Sequence, residues 1–521
     1  MAASSTDAMP ALRVPVTSGA FFGAKAAEAS AALADFIVEN SAAMALRQWF
    51  GEAALAELLA HDNTPSTRRL AINRLEDAVD RDIAALDRLL SAQLEALLAA
   101  ERLRRLESSW RGLSWLCSRV PPGAKVRVRM LQLRWAELCR DFERATEFDQ
   151  SQLFKKVYED EFGTPGGEPF GLLCGDWELR PTPGPGSPTD DIAGLDGLAA
   201  VAAAAFSPTV VAGHPALLGL ESFNELNPAL DPTEPMRLPE RRRWRGLQER
   251  DDTRFLGVLA PRAMVRGPWA DSLSRADQFR FLPNPGAAEA RLWMNAVYPF
   301  AAIVIRAFTS WGWPADIRGA QVSETALAGV VDGLRPQHLP SDLAGAPPRP
   351  PVEVAFTDEQ ERQMVEAGLI PLAGLEAMPD AVFAAVPSLH RPPRMLGGES
   401  ANAANANQRL SAQFNAVLCV SRFAHCIKMM GRQMTGSYKT ADDIQDRLQQ
   451  WLLGFASASS SGRGEAGARQ PLRNARVQVT EKPGQPGVFG CTIHLQPHYQ
   501  LDDVGAAFRL VTNLDANRSA A

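Results

Sequence analysis

The residues best suited to metal chemistry lie near the end of the chain, where Cys491-Thr-Ile-His494-Leu-Gln-Pro-His498 offers the thiolate and imidazole ligands that zinc prefers. Strand spacing works against such a site. Cys491 and His494 project to opposite faces of a strand, and at about 3.3 Å per residue His494 and His498 lie roughly 13 Å apart. The run reads as two ordinary histidines on a sheet face. His425 and Cys426 hold the residue types of a nucleophile and its base, but adjacent residues on a helix do not face each other, so His425 reads as a core histidine.

Phosphate chemistry fares no better. Thr164-Pro-Gly-Gly-Glu-Pro-Phe-Gly171 has the glycines of a tight turn without the lysine and Ser/Thr that a P-loop needs. Gly462-Arg-Gly-Glu-Ala-Gly467 matches G-x-G-x-x-G but follows a serine run, not an apolar strand. Neither H-E-x-x-H nor G-x-S-x-G occurs. Arg241-Arg-Arg-Trp-Arg245 interleaves basic and aromatic residues as nucleic-acid contacts do, yet Glu240, Glu249, Asp251 and Asp252 surround it, which favours a solvated, salt-bridged helix face. The residues therefore point to no catalytic group, cofactor or metal, leaving a scattered His/Asp hydrolase and a nucleic-acid-binding scaffold as minor alternatives.

The whole chain, 521 residues with 54 basic and 60 acidic side chains and a net charge of −6, is long enough for two to four domains and has no global attraction for polyanions. No apolar run reaches the roughly 18–20 residues of a membrane span, and the first residues lack a basic and an apolar signal region, so a cytoplasmic protein is expected. Its six cysteines are scattered without a C-x-x-C, as befits reduced thiols.

Periodicity supplies the elements. Residues 1–20 are small, polar and proline-punctuated, which suggests a flexible or extended arm. Helical spacing runs from about Ala24 to Ala60, and again from Ser66, a candidate N-cap, to Leu106. In the second stretch Leu75, Val79, Ile83, Leu86, Leu90, Leu94 and Leu97 recur at three and four residues, and so long a stripe needs a partner surface. Strands are expected at Val126–Met130, Phe170–Cys174, Thr209–Ala212 and Val352–Phe356, and helices at Ile192–Ala205 and Ala287–Trp311. The run Arg409–Met434 is apolar around its circumference and should lie deep in the structure. Thr440–Gly454 reads as a helix capped by Thr440, with Asp442 and Asp443 in its first turn. Ile444, Leu448, Trp451 and Leu452 form its buried stripe, and Asp442, Asp446 and Gln449 lie on another face. Period-two segments at Ala475–Glu481, Val488–Leu495 and Ala506–Leu514 predict a small antiparallel sheet.

Several longer motifs are similar to those of one family. Leu106-Glu-Ser-Ser-Trp-Arg-Gly-Leu113, Phe148–Phe162 with Gly163–Asp176, Gly312-Trp-Pro-Ala-Asp-Ile-Arg-Gly319, Ser388-Leu-His-Arg-Pro392, Ala401–Gln413, Ser421-Arg-Phe-Ala-His425 and Gln496–Asp502 resemble, in order, the large subunit of the type VI secretion contractile sheath. The resemblance spans about residues 83–514. It departs from the family at Gln496, where an arginine is usual, and in a longer, alanine-rich segment before Ile83.

The resemblance implies a non-enzymatic, mixed α/β (α+β) multi-domain subunit, with central sheets flanked by helices, long N-terminal helices and a small C-terminal antiparallel sheet. It implies an arm at 1–20, a helical partner-packing region at 21–106, a sheath body at 107–343 and a C-terminal domain at 352–521. The implied partners are a small sheath subunit, other copies of the chain, an inner tube, baseplate components and a recycling unfoldase ATPase, with no nucleic acid. Leu75, Val79, Leu86, Leu90 and Leu94 are the expected partner-packing residues. The family's C-terminal helix lines the sheath lumen, which makes Asp442, Asp443 and Asp446 the expected inner-tube contacts, and the terminal segments 10–20 and 475–514 are expected to pair as strands between subunits.

Overall fold

The computed structural model describes residues 11–19, 26–164, 166–184, 187–271, 279–284, 290–319, 327–338, 342–343, 345–393, 397, 401, 405, 408, 411–434, 440–457, 469–481, 489–497 and 508–514. The chain divides into two compact units, Met1–Leu106 with Pro268–Arg291, and Glu107–Gly267 with Leu292–Ala521.

The first unit is built on a long helix. α1 (Arg13–Thr17), α2 (Ala26–Val38), α3 (Ala42–Phe50) and α4 (Glu52–Leu58) precede α5 (Pro65–Ala99), a helix of 35 residues. Its N-cap is Thr64, not Ser66: Pro65 takes the first helical position, where a missing N–H does no harm, and Thr64 Oγ1 accepts from the Thr67 amide. The expected continuous helix to Leu106 breaks at Ala100, and α6 (Glu101–Ser118) begins beyond it. Residues 13–17, expected within an extended arm, form a helical turn held by Leu12 N–H to Gln48 O (3.1 Å) and by Arg13 Nε to Asp82 Oδ2 (2.8 Å). Phe50, Leu55 and Ala78 form the unit's small core, with Leu75 and Val79 packed at its rim.

The second unit centres on a four-stranded parallel sheet of order β1-β2-β3-β7, with β1 Leu173–Leu179, β2 Thr209–Gly213, β3 Leu256–Ala260 and β7 Leu369–Pro371. A parallel sheet must be covered on both faces, and β2 and β3 are buried along their whole length. Val210, Leu259 and Ile370 turn to a core with α12 (Val297–Trp311). Val211, Leu256, Val258 and Leu369 turn to the opposite core with α9 (Asp191–Ala205). Before α9 come α7 (Trp135–Arg144), α8 (Gln152–Phe154) and a π-helical segment, Lys155–Gly163; α10 (Glu234–Arg237) and α11 (Arg242–Gln248) follow β2, and α13 (Asp358–Glu366) leads into β7.

Short strands complete the unit: β4 Ala263–Arg266 pairs with β5 Leu292–Met294, and β9 Ala381–Val382 lies between β6 Val330–Val331 and β8 Ala373–Gly374. The helix expected from Ala287 thus starts only at Val297, after β5. At Val352 the expected strand amounts to a single bridge with Ala263.

α14 (Phe414–Met434) explains its all-round apolarity by serving two cores: Phe414 and Leu418 enter the α12 core, while Val420, Phe423, Ala424 and Ile427 enter a third. That third core packs α15 (Ala441–Leu453) against the antiparallel sheet β10 (Leu472–Glu481), β11 (Phe489–Pro497) and β12 (Phe508–Leu514). The fold is mixed α/β. Among the described residues no helix is long and apolar enough to cross a membrane.

Candidate assembly interfaces

The residues that suggested chemistry are not brought together as a reaction site. Cys491 is buried on β11 with its thiol pushed up to about 11 by burial, His494 is exposed on the other face, and His498 lies outside the described residues. Gly462–Gly467 also lies outside them. His425 is a buried core histidine whose Nε2 lies 3.1 Å from Ala205 O, with its ring against Phe162. In the Thr164–Gly171 turn the Glu168 amide donates to Glu161 Oε2 (2.7 Å), and a side chain at Gly167 would collide with the Glu161 backbone, so Gly167 serves close packing, while Gly166 serves the turn at φ +84°. Three of the four Arg241–Arg245 cations are spent internally, on targets other than the acidic neighbours sequence suggests, while Arg242 is exposed. Arg243 pairs with Asp190 (2.6 Å), Arg245 donates to Met236 O and Leu238 O (2.9 and 2.7 Å), and Arg241 to Ala216 O (3.2 Å).

The motif Leu106–Leu113 is an anchoring device. Ser109 Oγ and the Tyr298 hydroxyl both donate to Asp176 Oδ2 (2.5 and 2.8 Å), and Ser108 Oγ donates to Trp293 O (2.7 Å). A side chain at Gly112 would meet the Tyr298 ring, so only glycine lets α6 and α12 approach this closely. Burial and the Asp176 carboxylate hold the Tyr298 phenol well above its ordinary value, which keeps it a hydrogen-bond donor and unsuits it as a base.

What the structure does present is exposed surface on two helices. On α15, Ile444, Leu448 and Leu452 are buried and Trp451 packs edge-on to Phe455. Asp442 and Asp446 are exposed and, among the described residues, form no ion pair. Asp443 differs: its carboxylate accepts from the Thr440 amide (3.1 Å) and hydroxyl (2.9 Å), closing a capping box. Gln449 corrects the sequence reading. Its amide clasps Ala475 O and the Val477 N–H (both 2.8 Å), and Gln445 Oε1 accepts from Val479 N–H (3.0 Å). Two glutamines thus occupy the edge of β10 that faces away from β11, as Phe455 and Ser457 do at Leu472. Of the sheet's two outer strands, only β12 lacks such a side-chain clasp among the described residues.

The stripe on α5 is the larger surface. Ile72, Ile83, Leu90 and Leu97 fall within about 40° of one another around the helix. Ile83 is 49% exposed, Leu90 47% and Leu97 62%, with Leu86 and Leu94 half-buried between them. The core side of the helix carries small and polar residues instead: Asp82 accepts from Trp49 Nε1 (2.9 Å), and Ser91 Oγ accepts from the Leu282 amide (3.0 Å). Leu75 and Val79 are the exceptions in the expected partner-packing set, since they lean on their own unit's core. The apolar side of α5 is thus the one the chain leaves half open, a pattern that marks interaction surfaces.

Comparison with known proteins identifies the family. Residues 80–390 match the EvpB/VC_A0108 tail sheath N-terminal domain and residues 403–514 the EvpB/VC_A0108 tail sheath gpW/gp25-like domain. The type VI secretion system sheath protein TssC1 of Pseudomonas aeruginosa is 32% identical over 448 residues, which cover 85% of this chain and 87% of that one. A chain of the anti-feeding prophage baseplate is 11% identical over 78% of this chain and 83% of its own, at a TM-score of 0.32, too low to carry weight. The family is structural, not enzymatic, and its members assemble with other sheath subunits. With both tail sheath domains matched in order and a sheath protein 32% identical over 85% of its length, this chain belongs to the large-subunit family of the type VI secretion contractile sheath.

Proposed function

We propose that the chain works in the cytoplasm as a heterodimer with a small sheath subunit, joined through the α5 stripe, and that these pairs stack around an inner tube which sheath contraction propels. The half-open apolar face of α5 carries this reading, because burying it against a partner gains about 25 cal/mol for each Å² of apolar surface removed from water. Baseplate components would seed the stack and a recycling unfoldase would dismantle it. Contraction would draw on a better-packed second arrangement of the same interfaces, with no nucleotide bound by this chain. The chain expressed alone is expected to be poorly soluble and to become soluble when co-expressed with the small subunit, with negative-stain microscopy of the product showing hollow or tube-filled sheaths. A monodisperse monomer at micromolar concentration overturns the reading.

Asp442 and Asp446 are proposed to touch the inner tube. Exposed charge pairs are worth only about 0–1 kcal/mol each and gain strength by repetition along a helical lattice, which suits a grip that must release. Asp442→Asn with Asp446→Asn should leave pairing and thermal stability unchanged while reducing sheaths assembled on tubes, counted by microscopy. Asp443→Asn should do the reverse, lowering stability by about 0.5–1 kcal/mol through the weakened cap. Normal tube-filled sheaths from the double variant would reduce these carboxylates to helix surface.

A further inference from the structure

The run Lys125-Val-Arg-Val-Arg-Met-Leu-Gln-Leu-Arg134 has the alternation of a strand, and from Val126 to Leu133 its backbone is neither helical, turned nor bent, yet it belongs to no sheet. Among the described residues no backbone–backbone hydrogen bond joins residues 125–133 to any segment. Its side chains show which side is in use. Arg127 Nη1 pairs with Glu168 Oε2 at 2.7 Å, Arg129 reaches both Glu161 and Glu168, and the Trp177 indole donates to Leu133 O at 3.1 Å. The alternation therefore places two arginines on carboxylates of their own chain. Val128 and Met130, on the other side, are left 40% and 60% exposed.

An extended backbone with free donors and acceptors is a template for another strand, and native chains ordinarily blunt such edges with proline, a bulge or outward charge. Here there is no proline from Lys125 to Arg134, and the two central arginines, though 71% and 44% exposed, have their charge paired with Glu168 and Glu161 of the same chain. We infer that residues 126–132 form an unfilled strand position, completed in the assembled protein by an extended segment of a different polypeptide. The recognition chemistry is main-chain hydrogen bonding, apolar side chains opposite Val128 and Met130, and a carboxylate near Lys125, since Arg134 is already paired with Glu137. The segment holds four basic residues and no acidic one. A second copy of this chain fits poorly. Antiparallel pairing centred on Arg129 and Met130 sets Lys125 against Arg134, and in-register parallel pairing sets each arginine against itself.

This inference rests on the pairing proposed above, and the small sheath subunit is the probe. In the co-purified complex, amides of residues 126–132 are expected to exchange hydrogen as slowly as those of β10 and β11. Met130→Pro, which removes an N–H that has no backbone partner within the described chain, should lower recovery of the small subunit at least tenfold, with Met130→Thr restoring it. Fast exchange of those amides in an intact complex overturns the inference and leaves the pairing standing. Full recovery with Met130→Pro overturns it as well. So does a Met130→Cys variant that cross-links two copies of this chain and not the small subunit. Failure of the unmodified chain to bind the small subunit overturns the pairing itself and this inference with it. Should Met130→Pro not fold, by circular dichroism, the exchange rates in the unmodified complex decide alone.

Discussion

Replacing Leu90 and Leu97 together with aspartate is expected to abolish co-purification of the small sheath subunit while leaving the first unit folded. Both side chains stand on the open face of α5, at 47% and 62% exposure, and neither belongs to the core of Phe50, Leu55 and Ala78. A buried anchor at the centre of an interface is worth about 2 kcal/mol or more, and burying an unpaired carboxylate in its place adds a further penalty. Two such changes exceed about 4 kcal/mol, roughly a thousandfold in affinity. The variant chain should also be more soluble alone, because the apolar stripe is interrupted by charge. Val79→Asp supplies the contrast: Val79 packs on its own unit's core, so this change should lower the melting temperature of the chain itself. Undiminished recovery of the small subunit with the double aspartate variant would falsify the assignment of this face.

Sequence periodicity made the elements legible wherever one face was buried against the chain itself. Ile444, Leu448 and Leu452 are buried as their spacing requires, and the apolar circumference of 414–434 correctly marked a helix shared by two cores. It was incomplete where the partners lie far away. Val126–Met130 alternates as a strand does but pairs with no strand among the described residues of its own chain, and the sequence does not show that Arg127 and Arg129 reach Glu168 and Glu161 some thirty to forty residues on. Gln449 was illegible for the same reason: a glutamine on a polar helix face looks solvated until β10, 26 residues on, supplies a carbonyl and an amide at matching spacing. The anchoring role of Ser109 likewise depends on Asp176 and Tyr298, which only the fold brings to one point. The motifs Leu106–Leu113 and Gly312–Gly319 could be matched to a family without any of this. Gly112 is explained by its contact with the Tyr298 ring, and Gly312 and Gly319 by backbone at φ +80° and +89°, which favours glycine.

Acidification from pH 6.5 to 4 is expected to cost the folded protein up to about 3 kcal/mol through His425 alone. The imidazole sits on α14 among apolar groups, with Phe162 of the π-helical segment against its ring and Ala205 O from the end of α9 at 3.1 Å. Burial, reinforced by the Arg422 and Lys428 cations on the same helix, pushes His425 down to about 4 from its ordinary 6.5. The folded state therefore keeps this group neutral while the unfolded chain takes up a proton. Between those two pH values the unfolded state binds more protons, so stability falls as the pH falls, and above 6.5 the group contributes no pH dependence. Lys428 makes the site harder to relax, since its ammonium is fixed over the rings of Tyr158, Phe162 and Phe206 at 4.9, 4.9 and 5.3 Å and cannot swing away from a charged neighbour without leaving that cage. His425→Gln keeps a donor for Ala205 O and removes the titration. Its stability at pH 7 should be lower by about 1 kcal/mol, yet the gap to the unmodified protein should close and then reverse as the pH approaches 4. Denaturant unfolding of the two complexes at one fixed protein concentration measures this difference directly, because the carboxylates common to both cancel. A gap that stays constant from pH 7 to 4 would mean that the folded protein accepts a proton at His425 as readily as the unfolded chain does.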